Sequence, residues 1–208
     1  MTTLVFIHGW GLAPDFWNRL APLLPGTEQH RVNLGFYGEP AETFPGDDCV
    51  LIGHSLGFVY GMAKKKNWRG WIAINSFPRF VGPPGSGCAS LDELKDMASR
   101  LEKNPAETLK KFYAFIGAEP PAGYPDLKKL REALDMLRIL AVGRSAIPGL
   151  MLAARNDCLV PEATGAALAA GHSAEWHESG GHVLPQSDPA WCAERISSFL
   201  KQNFREAA

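Results

Sequence analysis

Residues 49–65 read CVLIGHSLGFVYGMAKK, and no other stretch constrains the fold as much. Cys49 to Ile52 is an apolar run without polar alternation, the pattern of a strand buried on both faces. It enters Gly53–His54–Ser55–Leu56–Gly57, and Phe58 to Lys65 continues at helical spacing. A buried strand that turns at once into a helix belongs to an α/β unit built on a parallel sheet. Further strands are predicted at Leu4–Ile7, His30–Leu34, Gly70–Asn75, Gly149–Ala154 and Ala174–His177. Helices are predicted over Asp15 to Leu24, Pro161 to Ala170 and Pro189 to Phe204.

The middle of the chain breaks this alternation. Pro78 to Gly87 is rich in Pro and Gly and reads as a loop. Leu91 to Leu101, Pro105 to Ile116 and Asp126 to Leu140 then read as three helices with no strand between them. The expected organisation is a core from residues 1–77 and 141–208, a mostly parallel sheet flanked by helices, with a helical cap inserted at 78–140. A chain of 208 residues is long enough for one such domain.

Composition narrows the function classes. With 21 Lys+Arg against 22 Asp+Glu, the chain has no general electrostatic reason to bind nucleic acid or an anionic membrane. No apolar run approaches the roughly 20 residues of a spanning helix. The start, MTTLVFIHGW, lacks the basic n-region of a signal peptide. Cys49, Cys88, Cys158 and Cys192 are scattered without paired spacing, so neither a disulfide framework nor a zinc site is expected. Free thiols in a reducing cytoplasm, with no metal and no cofactor, is the simplest expectation.

The chemistry rests on G-x-S-x-G at residues 53–57. Between a strand and a helix this pattern makes a nucleophile elbow, in which small neighbours let a strained serine stand clear of the backbone. An alcohol is a weak nucleophile at neutral pH and needs a base held by an acid. The expected chain order is Ser, acid, His, each after a strand. His182 follows the Ala174–His177 strand through the flexible Ser179–Gly180–Gly181, which makes it the candidate base, with His177 its leading rival. His8, His30, His54 and His172 sit at other loops or element ends. Asp157, just past the Gly149–Ala154 strand, is the candidate acid. Asp47, Asp48 and Asp126 have the wrong order or element, and Asp188 is too near His182. An oxyanion formed at Ser55 needs donors already in place: the backbone N–H of Leu56 and that of Trp10 in the loop after the first strand. The Trp10 ring could also wall the acyl pocket.

HGWG at 8–11, GHSLG at 53–57, the Asp of RNDCLVP at 155–161 and the His of SGGHVLP at 179–185 together resemble the α/β-hydrolase superfamily. Within it, HGWGLAPDFW and GHSLGFVYGMA are similar to the pimeloyl-acyl-carrier-protein methyl ester esterases of biotin synthesis. The resemblance implies a Ser55–His182–Asp157 triad and Trp10 and Leu56 at the oxyanion and substrate position. It also implies a helical cap that receives a carrier-linked acyl ester. The family's cap arginines have no clear one-to-one matches in this chain. The chain also departs in its early first strand, in NLGFYGEP at 33–40, and in the Pro/Gly-rich tract at 82–87.

On the second cap helix, Leu109, Phe112, Tyr113, Phe115 and Ile116 form an apolar stripe. It either faces the site, with Phe112 against substrate, or packs on the core. Lys110, Lys111, Lys128, Lys129 and Arg131 offer a slightly basic rim that would suit an acidic acyl carrier protein, although basic and acidic residues balance over 91–138. Three alternatives share this scaffold: a lyase like that of the menaquinone pathway, a generic small-ester hydrolase, and a ligand receptor.

Overall fold

The computed structural model describes residues 2–82 and 87–204, so most of the Pro/Gly-rich tract at 82–87 lies outside the described residues. Six strands form one sheet: β1 (Thr3–Ile7), β2 (Glu28–Val32), β3 (Cys49–His54), β4 (Gly70–Ile74), β5 (Gly149–Ala154) and β6 (Ser173–His177). Their order is β2-β1-β3-β4-β5-β6, and every pairing is parallel. The central strands β3, β4 and β5 are buried throughout, whereas EQHRV in β2 and SAEWH in β6 are half exposed at the sheet edges. Full burial of a large aliphatic side chain contributes roughly 1.5–3 kcal/mol, so the apolar runs belong in the middle of the sheet.

Register carries the functional consequence. Ile7 lies opposite Gly53, His54 opposite Ile74, and Ile74 opposite Leu152. The loops that leave β1, β3, β4, β5 and β6 therefore gather at one carboxyl edge, where ligands bind in open α/β sheets.

Helices α1 (Leu56–Lys64), α5 (Glu162–Ala169) and α7 (Pro189–Asn203) pack against the strands. Asp188 caps α7 by accepting from Trp191 N at 3.0 Å. A short turn of helix, α6 (Leu184–Ser187), follows the β6 loop and was not expected from the sequence. The helix predicted over Asp15 to Leu24 is instead two 3-10 turns, Pro14–Trp17 and Ala21–Leu23. Pro22 lacks the amide a continuous helix would use, and the apolar spacing serves burial: Phe16, Trp17, Leu20 and Leu24 all enter the core.

Between β4 and β5 come α2 (Leu91–Lys103), α3 (Pro105–Ile116) and α4 (Leu127–Ile139), with α2 packed on both others. Ser90 and Glu93 form a reciprocal capping box on α2, and Gly117 in the left-handed region ends α3. Val142 N donates to Pro78 O at 2.7 Å, which closes the base of this segment. The loop at 33–40 holds its far side: Asp126 N donates to Phe36 O at 2.9 Å, and Tyr37 bridges to Pro125. No helix of the described residues is long and apolar enough to cross a membrane.

Candidate active site

Ser55 sits between β3 and α1 at φ 52°, and Asn75, after β4, at φ 45°. Among the described residues these are the only non-glycine residues with positive φ, a backbone state that costs about 1–3 kcal/mol and persists only where the surroundings enforce it. The two glycines of the motif have a steric reason. A Cβ on Gly53 would run into the Phe58 backbone, and one on Gly57 into the carbonyls of Ile7 and His8. The first turn of α1 thus lies directly on the ends of β1 and β3, leaving Ser55 projecting at the crossing.

His182 and Asp157 meet beside it. The His182 Nδ1–H donates to the Asp157 carboxylate, at 3.0 Å to Oδ1 and 2.9 Å to Oδ2, with both side chains almost fully buried. Asp157 Oδ1 also accepts from Leu159 N at 2.8 Å and Val160 N at 3.0 Å. An acceptor-only carboxylate on Nδ1 leaves Nε2 of a neutral imidazole as the basic nitrogen. Among the described residues the Ser55 hydroxyl itself makes no hydrogen bond. The rival His177 pairs with Asp188 at 3.2 Å, near Trp191 and away from Ser55.

A cavity of about 680 Å³ opens over these groups, within the usual range for small-molecule sites. Ser55, His182, His54, Trp10 and Phe112 line it, with Phe80, Leu94, Met97, Phe115, Leu134 and Leu159 among its apolar walls. Phe112 therefore faces the site, as one of the two sequence readings had it, and its ring meets that of Trp10 edge-on at 4.7 Å. Asp157 lies behind His182 and does not line the cavity. Leu56 does not line it either. Expected to touch substrate, it instead borders a small separate void with Leu34, Phe36 and Tyr60, because the first helical turn carries its side chain toward α4. Only its backbone N–H remains available to the site.

The backbone N–H groups of Trp10 and Leu56 donate to no backbone carbonyl of the described residues. The Trp10 loop is fixed from the opposite side. Its indole Nε1–H donates to Leu130 O of α4 at 2.8 Å, and Tyr113 of α3 donates to Gly11 O at 2.6 Å. The Tyr37 hydroxyl lies 2.7 Å from that of Tyr113.

The neighbouring histidines are structural. His8 Nδ1–H donates to Gly9 O at 3.0 Å while Nε2 accepts from Leu34 N at 3.2 Å, and burial lowers its pKa to about 4. Burial, then the adjacent His182, holds His54 well below the ordinary histidine range. His54 donates from Nε2 to the carbonyl of His182 at 2.9 Å. Burial and the charge of Asp157 push the Cys88 thiol, at the cavity wall, well up.

Of the five cations the sequence suggested for a rim, only Lys111 borders the cavity, and three are paired: Lys111 with Glu107, Lys128 with Glu132, and Arg131 with Glu102 and Asp135. Sequence reading passed over Asn75, which binds the carbonyls of Gly181 and His182, and Asn156, whose Oδ1 accepts from Gly181 N at 2.8 Å. The one available signal was an Asn–Ser pair closing an apolar strand in the middle of the sheet.

Comparison with known proteins fits this geometry. The chain is 24% identical to the pimeloyl-[acyl-carrier protein] methyl ester esterase of Pectobacterium carotovorum, over 97% of this chain and 92% of that one. It is 29% identical to the protein of the same name from Aromatoleum aromaticum, but over 53% of this chain and 54% of that one. It is 24% identical to a biotin biosynthesis bifunctional protein of Teredinibacter turnerae, over 97% of this chain and 45% of that one. The matches to these last two thus span about half the length of each relative. Among solved structures, an esterase from Exiguobacterium antarcticum superposes with a TM-score of 0.82 at 17% identity, covering 97% of this chain and 92% of that one. A thermophilic esterase from Thermogutta terrifontis gives 0.73 at 17% identity, covering 99% and 91%. The sequence profile described as the alpha/beta hydrolase family matches residues 4–195, and by that match and this fold the chain belongs to the alpha/beta hydrolase family.

Proposed function

We propose that this chain is a serine carboxylesterase in which Ser55, His182 and Asp157 form the triad. The observation that carries the reading is the buried His182–Asp157 pair, whose histidine lines the same cavity as a serine held at positive φ. Ser55 Oγ attacks the acyl carbonyl as His182 Nε2 takes its proton. The carbonyl oxygen becomes an oxyanion held by the N–H groups of Trp10 and Leu56. The carbon–alkoxide bond breaks, His182 returns the proton to the leaving alkoxide, and an acyl-Ser55 ester remains. Water then adds to that ester with His182 again as base, releasing the carboxylic acid and restoring Ser55. Asp157 holds the tautomer and stabilises the imidazolium without taking its proton. Residues 78–140 act as a cap over the core of 1–77 and 141–208, and Phe112 and Trp10 contact the acyl chain.

The finer reading is that the ester is the methyl ester of a pimeloyl group on acyl carrier protein, cleaved to methanol in the cytoplasm. The names of the relatives support it, as does an apolar cavity of a size that takes a medium-length chain. The pairing of most rim cations favours a second reading, an esterase of free small esters. Steady-state hydrolysis of the carrier-linked methyl ester and of p-nitrophenyl esters by wild type and Ser55→Ala tests both. Loss of about 10³-fold or more in the variant supports the serine mechanism, and near-wild-type turnover rejects it. A kcat/KM for the carrier-linked ester no higher than for the free methyl ester selects the second reading.

A further inference from the structure

The end of β4 and the two residues after it bond to the backbone of Ser55 and His182 and to the end of the strand that leads to Asp157. Ile74 O accepts from Ser55 N at 3.1 Å, and Ser76 Oγ donates to Ser55 O at 2.8 Å, so both main-chain polar groups of Ser55 are held from β4. Asn75 bonds the backbone that carries the other two. Its Nδ2 donates to Gly181 O and His182 O, each at 2.7 Å, and its Oδ1 accepts from Ala154 N at 2.9 Å. Ala154 closes β5 and leads into the turn that carries Asp157, whose own N donates to Ala154 O at 3.2 Å. Asn75 N meanwhile donates to Leu152 O at 2.8 Å. One fully buried side chain thus joins the base loop to the strand that delivers the acid.

We propose that Asn75 is the positioning residue that sets the His182–Asp157 contact, and that Ser76 does the same for the Ser55 elbow; this rests on the triad reading above. The residue type follows from the geometry. Two carbonyls must be met by two donors on one atom and an amide N–H by an acceptor on the next, which among side chains of this length only an asparagine amide supplies. Asparagine also tolerates the left-handed backbone state better than other non-glycine residues, which places its amide between β5 and the His182 loop. Gly180 and Gly181 make the chain before His182 intrinsically free, so the loop depends on its hydrogen bonds: Asn156 and Ser187 hold the glycines, and Asn75 holds the carbonyls of Gly181 and His182. The carbonyl of His182 is also bound by His54 Nε2, so the two donors together aim the imidazole from its own backbone.

The test uses Asn75→Gly in the full chain, which keeps the backbone at ease at positive φ while removing all three side-chain bonds. Displacements near 1 Å at a reacting group reduce rate by up to about 100-fold, so kcat for a p-nitrophenyl ester should fall about 10- to 100-fold with KM nearly unchanged. A purely structural residue would lower thermal stability and leave kcat of the folded enzyme in place. Asn75→Asp, isosteric and equally tolerant of the backbone state, covers failure of the glycine variant to fold. Whether ionised or protonated it cannot donate to both carbonyls, so kcat should again fall at least about 10-fold. Ser76→Ala should slow fluorophosphonate labelling of Ser55. Either Asn75 variant, folded and with wild-type kcat while Ser55→Ala is inactive, overturns the proposal alone. Full turnover by Ser55→Ala overturns the triad reading instead.

Discussion

The indole Nε1–H of Trp10 donates to the carbonyl of Leu130 at 2.8 Å, so a residue of the β1 loop is anchored by helix α4, 120 positions further along the chain. The same residue offers a main-chain N–H that we assign to the oxyanion. The position of that donor therefore depends on how the segment 78–140 is seated.

Trp10→Phe should expose this dependence. It keeps an aromatic ring at the cavity wall but removes the indole donor; the Leu130 carbonyl keeps its place in the α4 hydrogen-bond ladder, so the loss is one hydrogen bond, about 0.5–1.5 kcal/mol. We expect a lower melting temperature and a fall in kcat larger than the rise in KM. Tyr113→Phe, which frees Gly11 O, should act in the same direction. Unchanged kcat in both variants would show that the oxyanion donors do not depend on the cap.

Asp157→Asn separates chemistry from folding. The amide can still accept from Leu159 N and Val160 N through its oxygen, so the turn should persist. The His182 tautomer is no longer imposed, and an equivalent exchange in a serine protease lowers kcat about 10⁴-fold. Thermal denaturation should shift by only a few degrees. If activity survives here and Asp188→Asn abolishes it, the acid is the partner of His177 rather than of His182.

Gly57→Ala tests the elbow sterically. The added methyl would meet the carbonyls of Ile7 and His8, both backbone atoms of a buried strand end that cannot move aside. Destabilisation of about 3 kcal/mol, measured by urea unfolding, is expected from such overpacking. Gly46→Ala is the control, since nothing lies within 4 Å of its added Cβ, and it should change stability by less than about 1 kcal/mol.

Buried neutral histidines give stability a defined pH dependence. Burial lowers the His8 pKa to about 4 from an ordinary 6.5, and His54 moves the same way. Below pH 6.5 the unfolded chain takes up protons that the folded chain refuses. Stability should be full above about pH 7 and fall as pH drops toward 4, by up to about 1.4 kcal/mol per pH unit for each histidine. Urea midpoints at pH 7.5, 6.0 and 5.0 measure this, and a flat series over that range would contradict the burial argument.

Much of this protein is legible in its sequence because the informative signals are local. Apolar runs without alternation mark β3, β4 and β5, since a strand covered on both faces has no polar side to show. The order of Ser55, Asp157 and His182 follows from strands that end at one edge, and small residues around Ser55 follow from the close approach of α1 to β1 and β3. What only the tertiary structure decided concerns direction and long-range pairing. Local spacing read Asp15 to Leu24 as a helix, but Pro22 and the demands of burial made two short turns of it. Leu56 keeps its backbone at the site while its side chain turns away, because that depends on where α4 lies. Arg131 of α4 looks free along the chain and pairs with Glu102 of α2. Asn75 reads as the end of a strand, and its role exists only because parallel register brings Ala154 and the Gly181–His182 loop, far away in sequence, within reach of one amide. Periodicity records which residues are buried, whereas the partner each buried polar group finds is fixed by the packing of elements that sequence spacing does not encode.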